Sequence, residues 1–161
     1  MSRQIYLLVF PAAANASRVN GSRAHWAILI PQAGSETKGT VIQVVGTPFT
    51  GYGLEFKRGY DCSVTRRAYH KMPLALVKEE HIQDVAATRP NEVDVTPRDA
   101  LETEAKKIDP PTASPEPLNP RVGKRCQDWT LEYIQWLISR GYMTSEALTV
   151  LDAAKALETR A

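Results

Sequence analysis

The chain has 161 residues and a formal net charge of +2 at pH 7, and its two cysteines are Cys62 and Cys126. This length predicts one domain over residues 1–161 that buries a core without disulfide staples. Acidic and basic residues nearly balance, so we expect no nucleic-acid partner. No apolar run is long enough for a transmembrane helix, so we expect no stable membrane anchor. Neither cysteine belongs to a CxxC pair, so we expect no metal site and no cofactor.

The N-terminus is compatible with two interpretations. An apolar run over residues 5–14 followed by small residues resembles a short signal peptide, and glycosylation sequons begin at Asn15 and Asn20. However, Pro11 interrupts the run, and residues 5–10 fit a buried strand equally well. We favour the strand, and therefore expect a cytoplasmic protein in which a disulfide would be unusual.

The first eighty residues have the pattern of β structure, with short apolar runs between turns that contain glycine or proline. Strands are predicted over residues 5–10, 25–30, 40–45, 54–58 and 74–77. A short polar loop joins the second run to the third, which predicts a β-hairpin that turns near Gly34.

Residues 82–124 are polar and rich in proline, which predicts a long irregular excursion. One short helix is expected to begin at Pro97 and to run through Lys107. The rest of the excursion is either a plain linker or a partly mobile functional segment, and the linker is the preferred interpretation.

The clearest helical pattern runs from about Lys124 to Arg140 and is expected to stop at Gly141. Its apolar stripe has helical spacing and comprises Trp129, Tyr133, Trp136 and Leu137. A second helix should be capped by Thr144 or Ser145 and should run through residue 157. Two helices packed on an antiparallel β-sheet give an α+β fold.

Cys126 opens the first of these helices, where unpaired backbone N–H groups and the helix dipole favour a thiolate. Lys124 and Arg125 add positive charge, so we expect the pKa of the thiol to be lowered. His25 heads the second predicted strand, and a cysteine that faces a histidine is the minimal apparatus for thiol catalysis. Because Cys126 precedes Trp129 by three positions, an ordinary buried cysteine remains an equal alternative.

Gln43 lies on the strand paired with that of His25. With the predicted turn, the two residues are cross-strand neighbours, and the amide could orient the imidazole. A plain polar strand residue is an equally good interpretation of Gln43. Gln127 and backbone amides near Cys126 could form an oxyanion hole. The weaker candidates are Asp128, His70, His81 and Cys62.

Several short segments carry a resemblance to a known superfamily. They are Ala24-His25-Trp26-Ala27, Val44-Val45-Gly46-Thr47-Pro48, Leu118-Asn119-Pro120 and Arg125-Cys126-Gln127-Asp128-Trp129. With the strand order, they make the chain resemble the circularly permuted papain-like superfamily, which includes lecithin:retinol acyltransferase-like and PPPDE-like proteins and is related to NlpC-type peptidases. More closely, the chain resembles a group of small fungal proteins. The resemblance covers most of residues 5–141.

The resemblance implies a permuted papain-like domain in which Cys126 is the nucleophile, His25 the base and Gln43 the third polar residue. Lecithin:retinol acyltransferase-like enzymes typically carry an asparagine before the cysteine and a second histidine in the third position, where this chain has Arg125 and Gln43. The expected activity is that of a thiol-dependent hydrolase or acyltransferase acting on an amide or ester of a small molecule or peptide. Two alternatives stay open. One is a fungal enzyme of secondary metabolism that reuses the pocket for cyclisation or rearrangement, and the other is an inactive binding module.

Overall fold

A computed structural model describes residues 1–12 and 24–159, with the backbone alone for residues 158 and 159. The sequons at Asn15 and Asn20 lie outside these residues. The strands are β1 (Ser2–Phe10), β2 (His25–Pro31), β3 (Lys38–Thr47), β4 (Gly51–Asp61), β5 (His70–Lys78) and β6 (Glu92–Asp94). The α-helices are α1 (Ala100–Ala105), α2 (Cys126–Ser139) and α3 (Glu146–Thr159).

The six strands form one antiparallel sheet in the order β5-β1-β2-β3-β4-β6. One face packs against the helices, with Trp26 and Ile28 of β2 in the same core as Trp129 and Leu137 of α2. The opposite face carries a smaller apolar cluster made of Leu8, Phe10, Ala27, Leu29, Val41 and Cys62. The α+β class with C-terminal helices is therefore confirmed.

All five predicted strands are present, and each extends beyond its apolar run. β1 and β2 lie inside the sheet and are covered on both faces, so their sequences read as continuous apolar runs rather than as alternating ones. The runs mark the buried middle of each strand. The exposed ends are held by backbone hydrogen bonds, which leave no apolar pattern in the sequence.

The short helix predicted within residues 82–124 is present as α1, but the linker interpretation of the rest of the segment is wrong. Within this segment β6 pairs with β4, with Asp94 opposite Phe56, and Leu101 and Ala105 of α1 are part of the main core. The N-cap Asp99 accepts a hydrogen bond of 2.9 Å from the backbone N–H of Glu102. That cap makes α1 start after the predicted position.

The apolar stripe of α2 also differs from the prediction at one position. Trp129, Tyr133 and Leu137 are buried, but Trp136 is only half-buried and its indole N–H donates to the carboxylate of Glu104. Ile134 takes the remaining place in the core. None of the helices within the described residues is both long and apolar enough to cross a lipid bilayer.

Candidate active site

The first turn of α2 is fixed by polar contacts around Cys126, the first residue of the helix. Asp128 accepts a hydrogen bond of 2.7 Å from the backbone N–H of Arg125, the N-cap residue. Gln127 is buried, and its side-chain amide donates to the carbonyl of Ala24 at 2.8 Å. Gln127 therefore ties the start of α2 to the start of β2. These are the bonds of supporting residues, and an oxyanion role for either side chain stays a prediction.

A cleft of about 380 Å³ opens at this end of the sheet. Its lining residues are His25, Val44, Val45, Gly46, Thr47, Pro48, Tyr52, Arg67, Arg125 and Cys126. The backbone N–H of Trp26, the residue after His25, lies near enough to the sulfur of Cys126 to favour its thiolate form. The structure thus brings Cys126 and His25, a hundred residues apart in sequence, to one cleft.

A chain of hydrogen bonds holds the ring of His25. Its Nε2 lies 2.8 Å from Oε1 of Gln43, and Nε2 of Gln43 donates to Oε2 of Glu55 at 3.0 Å. An ionised carboxylate only accepts hydrogen bonds, so the Gln43 amide must present its oxygen to the histidine. Nε2 of His25 must then carry the proton. In the neutral ring this leaves Nδ1 with the free lone pair, as a general base requires.

The contact between His25 and Gln43 was predicted, but the hairpin register differs by two residues. The β2–β3 ladder pairs Ile28 with Ile42 and Pro31 with Gly39. Extending this register places Ala27 opposite Gln43, so the amide reaches the His25 ring diagonally. Side chains two residues apart share a face of a strand, and the contact therefore survives the shift.

The model of a family described as "Family of unknown function (DUF6540)" matches residues 5–144 of the chain. The chain belongs to this family. Comparison with curated proteins and with solved structures finds no match. The matched range contains every residue that lines the cleft.

His25 of this DUF6540 protein is held in its neutral form. Burial is the main cause that lowers its pKa from 6.5, and the positive charges of Arg67 and Lys57 act in the same direction. The Gln43 hydrogen bond and the charge of Glu55 oppose this only in part. The ring also stacks on Phe10, with the ring centroids 5.9 Å apart. At neutral pH His25 can therefore take up a proton.

The expected lowering of the Cys126 pKa is wrong for this DUF6540 chain. Burial of the thiol raises its pKa above 9.0, and the negative charge of Asp128 adds to the rise. Hydrogen bonds from the backbone N–H groups of Trp26 and Gln127 favour the thiolate but do not outweigh burial. The lysine expected to help, Lys124, instead pairs with Glu132. The resting site therefore holds a thiol and a neutral imidazole.

Sequence reasoning missed three residues of the site. Glu55 lies directly opposite Gln43 in the β3–β4 ladder, so a correct prediction of that hairpin would have found it. Tyr52 lines the cleft, and burial together with the nearby Cys126 raises the pKa of its phenol. Arg67 comes from the loop before β5, and no local pattern in the sequence marks it.

The weaker candidates are not among the residues that line the cleft. His70 is exposed on β5, and His81 packs edge-on against Tyr142 with centroids 4.8 Å apart. Cys62 is buried on the far face of the sheet, and it and Cys126 are both free thiols. Within residues 1–12 and 24–159, no cluster of three or more histidine, cysteine or acidic side chains could hold a metal ion.

Proposed function

We propose that this protein is a thiol-dependent hydrolase or acyltransferase acting on an amide or ester of a small molecule or peptide. The observation that carries the proposal is the shared cleft, in which Cys126 lies with a histidine held in the tautomer of a general base. The same order of a strand histidine, a strand polar residue and a helix-start cysteine supports a permuted papain-like fold.

The chemistry starts from the neutral pair. As the sulfur of Cys126 attacks the substrate carbonyl carbon, Nδ1 of His25 takes the thiol proton, so the thiolate forms only as the new C–S bond forms. The resulting imidazolium is stabilised through Gln43, whose oxygen accepts from Nε2–H and whose amide is held by Glu55. Gln43 and Glu55 are thus positioning residues.

Collapse of the tetrahedral intermediate then expels the leaving nitrogen or oxygen, which receives the proton from Nδ1 of His25. The product is a thioester on Cys126 and a neutral His25. Water or another acceptor next attacks the thioester, again with Nδ1 as the base, and Cys126 leaves as the thiol when the proton returns to it. A water acceptor makes the protein a hydrolase, and an alcohol or amine acceptor makes it an acyltransferase.

The neutral pair also supports a second function, in which the same cleft catalyses cyclisation or rearrangement of a small molecule. A protonated thiol and a neutral imidazole can give and take a proton without an acyl intermediate. In this version Cys126 is an acid rather than a nucleophile, and no thioester forms.

Acylation by p-nitrophenyl acetate separates these functions. Mass spectrometry of the wild-type protein should find one acetyl group on Cys126, and Cys62→Ser should leave that acetylation unchanged because Cys62 lies outside the cleft. His25→Ala should slow acetylation by about a hundredfold, the usual effect of losing a general base. Equal acetylation of wild type and His25→Ala would refute the base. If Cys126 is not acetylated, the nucleophile role is refuted, and the remaining functions are proton transfer in a cyclisation or rearrangement, or binding without catalysis.

A further inference from the structure

Arg125, the residue before the candidate nucleophile, has a guanidinium that the protein satisfies only in part. The residue is 7% exposed. Its Nη2 donates to the backbone carbonyls of Asn119 at 2.8 Å and Pro117 at 3.3 Å. Its Nη1 is buried and has no hydrogen-bond partner among the described residues. Arg125 lines the same cleft as Cys126.

This arrangement is unusual because a guanidinium keeps its charge at every accessible pH. Buried charges in proteins are normally paired, since an unpaired buried charge is costly. The adjacent acid, Asp128, binds the backbone N–H of Arg125, and no carboxylate of the described residues forms an ion pair with the Arg125 guanidinium. The two carbonyls hold the group in place. Because Nη1 has almost no solvent-accessible surface, an anionic oxygen reaches it through a small movement of the side chain toward the cleft that Arg125 lines.

The charge of the cleft points to the same kind of ligand. Arg67 adds a second cation at the rim, where its guanidinium lies 4.9 Å from the centre of the Phe10 ring. Of the lining residues that the structure describes, none is acidic. Tyr52 and Thr47 add hydroxyl groups. Asp128 and Glu55 lie behind the lining, where their charges act on Cys126 and His25 and offset part of the positive charge. Two cations and no carboxylate among the described lining residues still favour an anion at the cleft surface.

We propose that the cleft binds an anionic oxygen group of the substrate, a carboxylate or a phosphate, through the guanidinium of Arg125, with Arg67 at the rim. Because Arg125 and Cys126 line the same cleft, the anion and the carbonyl that the thiol attacks belong to one substrate. The assignment rests on the proposed function for the reacting carbonyl, and it narrows the substrates to negatively charged amides or esters.

Two alkylating reagents test this directly, because iodoacetate and iodoacetamide differ in a single group, a carboxylate in place of a neutral amide. In both reactions the sulfur displaces iodide from the CH₂ carbon, and the thiol proton passes to the buffer. Both reagents react with the same thiolate, so the ratio of the two rates does not depend on the pKa of the thiol or on its accessibility. Relative to N-acetylcysteine, Cys126 should favour iodoacetate about tenfold, the effect of one charge-assisted hydrogen bond.

The variants assign that preference to residues. Arg125→Gln should reduce the rate ratio to nearly that of N-acetylcysteine, and Arg67→Gln should reduce it in part. Arg66→Gln is the matched control, because Arg66 is the exposed neighbour of Arg67 and is not among the lining residues; its ratio should equal the wild-type ratio. Thermal melts check that each variant is folded, and the wild-type ratio decides the proposal even if Arg125→Gln fails to fold.

Protection experiments identify the anion. Acetate and inorganic phosphate are added separately during iodoacetamide labelling, with acetamide as the neutral control. Saturable slowing by acetate supports a carboxylate, and slowing by phosphate supports a phosphate. A wild-type ratio equal to that of N-acetylcysteine, with no protection by either anion, would overturn the anion site. Neither result depends on acetylation by p-nitrophenyl acetate, so the anion site and the catalytic function can fail separately.

Discussion

Two buried arginines lie in different surroundings in this fold. Arg58 of β4 is 1% exposed, and it donates to both carboxylate oxygens of Glu102 in α1, at 2.5 and 2.8 Å, and to Asp94 of β6 at 3.0 Å. We call these three residues the ion cluster. Arg125 is nearly as buried, but Nη1 of its guanidinium has no partner among the described residues.

The comparison shows that burial of a charge does not by itself tell what the charge does. The ion cluster satisfies its guanidinium from within the chain, and in doing so it fastens α1 and β6 to the sheet. Such a cluster specifies a fold and leaves little capacity for a ligand. Arg125 donates to two backbone carbonyls and lies beside the phenol of Tyr52, and no carboxylate of the described residues forms an ion pair with it at the wall of the cleft. Incomplete pairing, rather than burial, marks the group that awaits a ligand.

The largest expected effect comes from breaking the ion cluster. Arg58→Ala should lower the free energy of unfolding by about 3–5 kcal/mol, because it leaves the buried carboxylate of Glu102 without its partner. Urea denaturation measures the loss. Arg98→Ala is the control, since the exposed Arg98 also contacts Asp94 at 3.3 Å and should contribute less than about 1 kcal/mol. Similar losses for both variants would contradict the structural role assigned to Arg58.

The second prediction concerns the cleft, where the rate of Cys126 alkylation should depend on pH. Burial raises the pKa of Cys126 above 9.0, so only a small fraction of the thiol is ionised at neutral pH. Because iodoacetamide reacts with the thiolate, the alkylation rate should rise about tenfold per pH unit up to pH 9.0. A stopped time course of iodoacetamide labelling followed by mass spectrometry gives the profile, with N-acetylcysteine as the reference thiol. A rate that is independent of pH between about 6 and 8 would instead mean a preformed ion pair of Cys126 and His25.

The pH profile tests the pKa of Cys126, which the sequence predicted to be lowered and which burial raises instead. Helix position and the neighbouring Lys124 favour a thiolate, and both features are visible in the sequence. The burial of Cys126 and the pairing of Lys124 with Glu132 exist only in the folded chain. The sign of a pKa shift depends on which of these effects is larger. The sequence could therefore locate the candidate thiol but could not establish its protonation state.

Other parts of the fold also divide into features that the sequence predicts locally and features that depend on the folded chain. Strands with apolar runs were predictable because burial leaves a local signature, whereas β6 has the polar sequence Glu92-Val93-Asp94 and exists through pairing with β4. His25 and Gln43 were found because a hairpin is a local structure. Arg67 joins the cleft through a loop, and that placement depends on the whole fold.

Removing the arginine at the cleft should affect stability much less than removing Arg58. Arg125→Gln should cost about 1–2 kcal/mol, because the carbonyls of Pro117 and Asn119 lose their donor while an uncompensated charge also disappears. Urea denaturation of Arg125→Gln and Arg58→Ala under the same conditions compares their losses in unfolding free energy. A loss for Arg125→Gln as large as that for Arg58→Ala would mean that both arginines are structural.

The smallest effect is expected from Glu55→Gln, which tests how the cleft fixes its histidine. Glu55 only accepts hydrogen bonds, so it forces the Gln43 amide to turn its oxygen toward Nε2 of His25. An amide at position 55 can donate as well as accept, and both orientations of Gln43 then become possible. ¹⁵N NMR of the histidine ring should show a single Nε2–H tautomer in the wild type and a mixture in Glu55→Gln. Acetylation of Cys126 should fall only a few-fold, since an orienting group contributes less than the base itself. A ring that already holds its proton on Nδ1 in the wild type would remove the free lone pair on which the base mechanism depends.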